Sequence, residues 1–492
     1  MEYIPRQLTC DGEVGLRRNV ARGALLGIAG QAWHLVTAFL LYAFLARRLG
    51  PAAFGQWRVV LSVLVWFEIV VNAGLVKVAT KAITEASEKR ASAERASYAG
   101  QMLLAAGAFA LVEVLAGPIA SLLSDPSLAP YLRIAALDIP LYALFLVASA
   151  VVLGEQRFER QAVSWIVYAT AKFVAIAVLV AVGFSVQGAL IGNALSSVVG
   201  FAVVFTPWRR GDASRREIGQ LTRWMLAASV PFLTVSLLEG LVQSTDLWFV
   251  SAIVGNGLLV GLYASASVLA EIPLFLMTGL NRVLFPSVAR AGAEGDTRLA
   301  GHYAVQGVRT AIIVTVFGVA VAAATGRLAL ELVYSSAYAG AFVPLVILVL
   351  AAVGRTVRAA CAEVLMATNR GRLAVASLAG AFVLEVALLA VLAPRYGLVG
   401  AATGSAVAAL AAGGAAAFLI RASLGMRPLL TLGRCTAAAA VVGLALAYLT
   451  PNAPIALFVA FPLAAVLYLA LLRLIREIGA DDVASIRMAM ER

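Results

Sequence analysis

Apolar residues run along the chain in blocks of about twenty, separated by short polar or glycine-bearing stretches, from Gly23 to Leu472. A helix rises 1.5 Å per residue, so about twenty residues cross the roughly 30 Å hydrocarbon of a bilayer. The pattern predicts about 14 spans. Six are Gly23–Ala46, Trp57–Thr80, Ala99–Leu122, Ile134–Gly154, Ala162–Gly183 and Gln187–Pro207. Six more are Trp224–Ile253, Leu258–Pro286, Ala304–Gly326, Ala341–Met366, Leu373–Ala393 and Leu398–Ile420. Thr436–Thr450 and Pro454–Leu472 follow. The expected class is an all-α polytopic membrane protein.

Two sequence echoes divide these spans into copies. Leu49–Trp57 (LGPAAFGQW) returns as Val254–Tyr263 (VGNGLLVGLY), offset by 206 positions at Gly55 and Gly261. Phe184–Gly192 (FSVQGALIG) returns as Tyr396–Gly404 (YGLVGAATG), offset by 212. Nearly equal offsets indicate a duplication. With six spans per copy, both copies enter the membrane from the same side, the parallel-repeat arrangement of some transporters. The expected organisation is a tail (1–22), a six-helix bundle (23–207), a linker (208–223), a second bundle (224–420), two added helices (421–474) and a tail (475–492).

Composition sharpens this picture. Hydrophobic residues make up 62% and charged residues 13% of the 492 residues, against about half and a quarter in soluble domains. With both termini inside, about 27 of the 38 Lys and Arg fall in inside segments and about 5 in outside ones. Arg209–Arg223 and Lys81–Arg95 carry much of this bias, while Gly255–Gly257 and Thr450–Pro454 are nearly uncharged outer turns. The net charge of +12 follows from it and needs only anionic lipid as partner, not nucleic acid. No cleavable signal peptide is apparent. Cys10, Cys361 and Cys435 fit no disulfide frame or metal spacing, and His34 and His302 cannot form a metal cluster alone. There is no G-x-x-x-x-G-K-[ST] loop and hence no ATPase of its own. With no long outer loop to carry catalytic residues, an enzyme is not expected.

Phe44–Thr80 resembles the opening of bacterial polysaccharide-biosynthesis flippases, a family of the multidrug/oligosaccharidyl-lipid/polysaccharide exporter superfamily. The family pattern A-R-x-L-G-x-x-x-F-G-x-[YW] is filled by Ala46, Arg47, Leu49, Gly50, Phe54, Gly55 and Trp57. Its D-x-G-L with a basic residue nine positions after the Asp becomes Asn72, Gly74, Leu75 and Lys81, an amide replacing the acid. Asp246, Gly261, Tyr263, Phe285 and Pro286 match a second block, as do Gln156-Arg157 and Tyr396–Ala401.

The resemblance implies a MATE-like exporter fold and a carrier in the bacterial cytoplasmic membrane. Its cargo would be an undecaprenyl-pyrophosphate-linked oligosaccharide for O-antigen, capsule or exopolysaccharide, moved from inner to outer leaflet by alternating access. Membrane lipids and the polysaccharide polymerase machinery would be its partners. A headgroup of sugars and pyrophosphate needs a polar cavity lined by cations, open sideways to leave the lipid tail in the bilayer.

Charged residues inside spans are where to look, because each costs several kcal/mol unless solvated or paired. Lys172 lies near the middle of the fifth span, and Arg355 and Arg358 lie on one face of the tenth. These three are the expected pyrophosphate clamp. Alternatively, the two arginines pair with Glu363 or with carbonyls, or snorkel. Arg282 is a weaker candidate nearer the cytoplasmic surface. Shifting Lys172 by 213 reaches Glu385. The two would form an ion pair across the cavity or, the preferred reading, pair separately within their own bundles. Coupling to a proton or sodium gradient, with no other cofactor, is expected at Glu239 and Asp246, with His34 and Glu385 as further candidates. Glu68, Glu113, Asp138 and Glu271 are other acids within spans.

Gly23 and Gly27, and Gly400 and Gly404, are spaced for close helix packing. Gly50, Gly55, Gly255 and Gly261 are expected at outer hairpins, and Asp212–Thr222 and Asp481–Met490 as interfacial helices. A peptidoglycan-precursor flippase or multidrug/cation antiporter of the same fold is the alternative function, and a non-transporting scaffold a third. Cations within the spans favour anionic cargo over a drug cation.

Overall fold

A computed structural model describes residues 10–85, 89–207, 214–275, 277, 297–367, 370–424, 428–449 and 454–477. Arg282, the Phe285–Pro286 pair, Thr450–Asn452 and Asp481–Met490 lie outside the described residues. The described chain is helical almost throughout, as it must be where no water pairs with backbone groups in hydrocarbon.

The N-terminal helices are α1 (Cys10–Asn72), α2 (Leu75–Glu85), α3 (Arg90–Leu122), α4 (Leu128–Ala136), α5 (Asp138–Gly154), α6 (Phe158–Ala181) and α7 (Ser185–Val204). Then come α8 (Arg215–Val254), α9 (Gly257–Ala270), α10 (Thr297–Val333), a 3-10 turn at Ser336–Ala341, α11 (Phe342–Ala367), α12 (Gly371–Leu424), α13 (Pro428–Leu449) and α14 (Pro454–Leu474). Eleven stretches among the described residues are long and apolar enough to span a membrane. Two of them, Ala29–Glu85 and Gly371–Ile420, are each a bent pair, broken at Gly50 and Gly397. Counting those pairs as two and adding the shorter Ala460–Leu474 reaches the expected fourteen.

Both echoes mark backbone that L-residues resist. Gly50 holds φ 72°, ψ 171°, essentially a glycine-only conformation, and Pro51 restarts the helix where its missing N–H is no loss. Gly255, its counterpart, has φ 59°. In the second echo, Gly397 (φ 57°, ψ −131°) corresponds to Ser185 (φ 49°). The echo's glycines also close helix pairs. A Cβ on Gly188 would stand 2.7 Å from Phe184 Cβ, and one on Gly192 2.7 Å from Ile176 N. A Cβ on Gly400 would stand 2.1 Å from Leu392 O, and one on Gly404 3.3 Å from Leu389 N. So α7 lies tight on α6, and the second half of α12 tight on its first.

The chain divides into two compact units, Met1–Gly240 and Leu241–Arg492. The N-terminal core is aromatic, with the Phe145 and Tyr168 rings stacked at 5.0 Å and Trp165 edge-on to Phe145 at 5.1 Å. The C-terminal core is alanine- and valine-rich, closed by Tyr468, whose hydroxyl donates to Ile313 O at 3.1 Å. Small residues let helices approach where lipid supplies no hydrophobic drive between them. Large apolar side chains such as Val114, Val182 and Leu444 instead face outward, as on a lipid-facing surface.

Two expectations change. Gly27 has no heavy atom within 4 Å of a would-be Cβ, so it closes no helix pair. From Arg215 onward, the expected interfacial helix is continuous with the seventh span in α8. The sequence has no proline or glycine pair there to break it.

Candidate functional site

Each unit holds a buried charge cluster. In the N-terminal unit, Asp138 opens α5 and is 1% exposed. Its carboxylate accepts hydrogen bonds from Asn193 Nδ2 and, at 2.6 Å, from Ser197 Oγ, both on α7. Lys172 on α6 sits with Nζ 5.7 Å from the Tyr168 ring centroid. Lys172, Asp138 and Glu68 of α1 are close enough for each charge to act on the others. Lys172 also acts on His34 of α1, whose ring meets Trp165 edge-on at 6.3 Å and whose Nδ1 is buried with no hydrogen-bond partner. The α6–α7 glycine contact explains the geometry. Ile176 against Gly192 is one turn from Lys172, and Asn193 directly follows that glycine.

In the C-terminal unit, Arg355 of α11 lies between two carboxylates. Its Nη2 is 3.5 Å from Asp246 Oδ2 and 3.7 Å from Glu385 Oε1. Both acids are almost fully buried. Tyr263 OH of α9 donates to Asp246 Oδ2 at 3.0 Å, and the Leu247 N–H donates to Oδ1 at 2.7 Å. Ser405 Oγ donates to Glu385 Oε1 at 2.8 Å. Close backbone contact positions the arginine: a Cβ on Gly354 would lie 2.3 Å from Ala409 C, and one on Gly413 2.6 Å from Gly354 O. Here too the polar residue, Ser405, directly follows the second glycine of the echo, Gly404.

The expected residues thus fall into two groups. Lys172 and His34 share the N-terminal cluster, with Glu68 and Asp138. Arg355, Asp246 and Glu385 meet in the C-terminal one. Glu239 is exposed, although it stands two helical turns from Asp246 on α8. Arg358 is half-buried one turn beyond Arg355. Tyr263 belongs to the family-matching block of Asp246, whereas nothing in the sequence reading points to Asn193, Ser197 or Ser405. A polar residue directly after the second glycine of each echo would have pointed to two of them. The C-terminal unit also holds a nearly all-apolar cavity of about 690 Å³, lined by Ala320, Ala324, Leu350, Leu432, Ala440 and Gly443 among others.

Buried charges thus lie inside helices of both units, and three of the acids, Asp138, Asp246 and Glu385, accept hydrogen bonds from hydroxyl, amide or backbone donors. A family described as polysaccharide biosynthesis protein matches residues 20–291, more than half of the chain. The chain belongs to that family. No curated protein matches it. Among solved structures, it is similar to a lipid II flippase, MurJ, in an inward closed conformation (TM-score 0.78, 12% identity, over 92% of this chain and 99% of that one). It is also similar to an inward-facing multidrug resistance MATE family transporter of the MOP superfamily (TM-score 0.64, 16% identity, 81% and 98% covered). A third is a MOP superfamily transporter from Pyrococcus furiosus (TM-score 0.54, 14% identity, 83% and 95% covered). At these identities the likeness is one of fold. The chain is thus a member of the polysaccharide biosynthesis family with eleven described stretches long and apolar enough to span a membrane, in the fold that these flippase and transporter structures share.

Proposed function

We propose that the protein flips an undecaprenyl-pyrophosphate-linked oligosaccharide from the inner to the outer leaflet of a bacterial cytoplasmic membrane, with both termini inside. The family match over residues 20–291 is the observation that carries this reading. Cations held within spans suit a pyrophosphate headgroup, and the apolar cavity suits a prenyl tail. We assign the pyrophosphate to Lys172 and Arg358, with Arg282 as a further candidate; Arg355 stands in direct ion pairs with two carboxylates at 3.5 and 3.7 Å, whereas Lys172 makes none within 4 Å among the described residues. A two-bundle carrier with no ATPase works by alternating access, driven here by a proton or sodium gradient. Transport, with no bond made or broken, is the whole of its activity.

Deletion of the gene with assay of surface polysaccharide tests the reading. Loss of polysaccharide with accumulation of its lipid-linked intermediate, restored by the wild-type gene, is the expected result. Unchanged polysaccharide without accumulation would overturn it. Lysis with arrested cell-wall synthesis would move the cargo to a peptidoglycan precursor.

A further inference from the structure

We propose that Asp246 and Glu385 form an organic-cation site of the guanidinium class, whose resident ligand is the chain's own Arg355 side chain. The site is built without that ligand. Tyr263 OH and the Leu247 N–H orient Asp246, and Ser405 Oγ orients Glu385, so both carboxylates stay aimed if the arginine is removed.

The guanidinium is held by charge more than by hydrogen bonds. Its contacts of 3.5 and 3.7 Å exceed the 2.7–3.2 Å of an N–H···O bond, and neither Nε nor Nη2 has a hydrogen-bond partner. Glu271 adds to the negative potential at Arg355. The spacing also selects the ligand. Oxygens hold hard metal cations at about 2.0–2.6 Å, so a bare metal ion at the Nη2 position would touch neither acid. A planar guanidinium fits the gap, with one nitrogen at 3.5 and 3.7 Å from the two acids. The tether completes this cluster without an inorganic ion, so any sodium dependence of transport runs through other residues. This proposal does not depend on which cargo is carried.

Thermal unfolding of the purified full-length chain in detergent, with millimolar guanidinium, sodium or choline, tests it. Wild type is expected to respond to none of them. Arg355→Ala is expected to unfold at lower temperature and to recover by about 2 °C or more with guanidinium only, since a ligand bound by the folded state raises the midpoint. Arg355→Ala/Glu385→Gln, with one charged carboxylate left, is expected to lose that recovery. If Arg355→Ala does not fold, recovery of the double variant supports the proposal, because the unpaired acids are then the fault; failure of both overturns it. A guanidinium or sodium response in wild type, or no guanidinium response in a folded Arg355→Ala, also overturns it. A larger sodium than guanidinium response in that variant would replace the guanidinium class by a metal site and overturn it as stated.

Discussion

The two units solve one electrostatic problem with different helices. Each sets a Lys or Arg near two buried acids, Lys172 with Glu68 and Asp138, and Arg355 with Asp246 and Glu385. In the N-terminal unit, the base is on the fifth span (Lys172) and the acids on the second and fourth (Glu68, Asp138). In the C-terminal unit, the base moves to the tenth span, equivalent to the fourth, and an acid takes the eleventh, equivalent to the fifth. The turns and the glycine seams recur in both repeats, while one charged position, Lys172 against Glu385, changes sign. A backbone turn with positive φ admits few residues, but a charge is satisfied by any opposite charge within reach.

The bases also differ in kind. Lysine is a compact ammonium that changes charge readily when buried, whereas arginine keeps its charge and presents a planar fork. The N-terminal base is therefore a point charge, and the C-terminal one a planar fork.

Reversing a sign separates the clusters most sharply. Lys172→Glu brings three acids together with no base and is expected to abolish transport, read as loss of surface polysaccharide in a complementation assay. Breaking a buried pair this way costs about 3–5 kcal/mol, enough to lower the protein's abundance as well. Adding Glu385→Lys, which moves the base to the eleventh span, is expected not to restore transport, because each charge is balanced inside its own unit. Rescue would show that Lys172 and Glu385 act on each other, and the comparison would fall.

Conservative exchange ranks next. Arg355→Lys replaces the guanidinium nitrogen that stands within reach of both carboxylates by a shorter-reaching ammonium, and transport is expected to fall about ten-fold, equivalent to about 1.4 kcal/mol of weakened attraction. Lys172→Arg keeps its charge over the Tyr168 face and is expected to retain most activity. Equal losses in the two variants would show the bases to be equivalent.

What could be read in the sequence follows the same division. Span positions and the tight turns were legible, because bilayer thickness and glycine-only backbone leave marks along the chain. Of the pairings, the preferred separation of Lys172 from Glu385 was a choice between two readings, and Asp246 could not be assigned to Arg355. Partners 109 and 30 positions from Arg355 meet only through helix packing, which hydropathy does not encode. Glu239 illustrates the cost of reasoning along one helix: it stands in register with Asp246, yet it is exposed.

The seams predict a smaller contrast. A Cβ on Gly400 meets a backbone carbonyl, Leu392 O, at 2.1 Å, whereas one on Gly188 meets the Phe184 side chain first, at 2.7 Å. Backbone inside a helix pair yields less than a side-chain carbon. Gly400→Ala is expected to destabilise by about 2 kcal/mol, within the range for overpacking, and Gly188→Ala by less. Thermal unfolding measures both, and the reverse order would show that the two seams are not packed alike.

The turns themselves, where one repeat carries glycine and the other serine, give the smallest effect at Ser185. Gly397, at φ 57° and ψ −131°, lies outside the regions open to L-residues, so Gly397→Ser is expected to destabilise by about 1–3 kcal/mol. Ser185, at φ 49°, already bears the strain of left-handed backbone, about 1–2 kcal/mol for an L-residue. Ser185→Gly relieves that strain but frees the unfolded chain, and the two nearly cancel. The unfolding midpoint should therefore shift little or rise slightly. A clear fall would mean that the Ser185 side chain holds the turn in a way that glycine in the second copy does not.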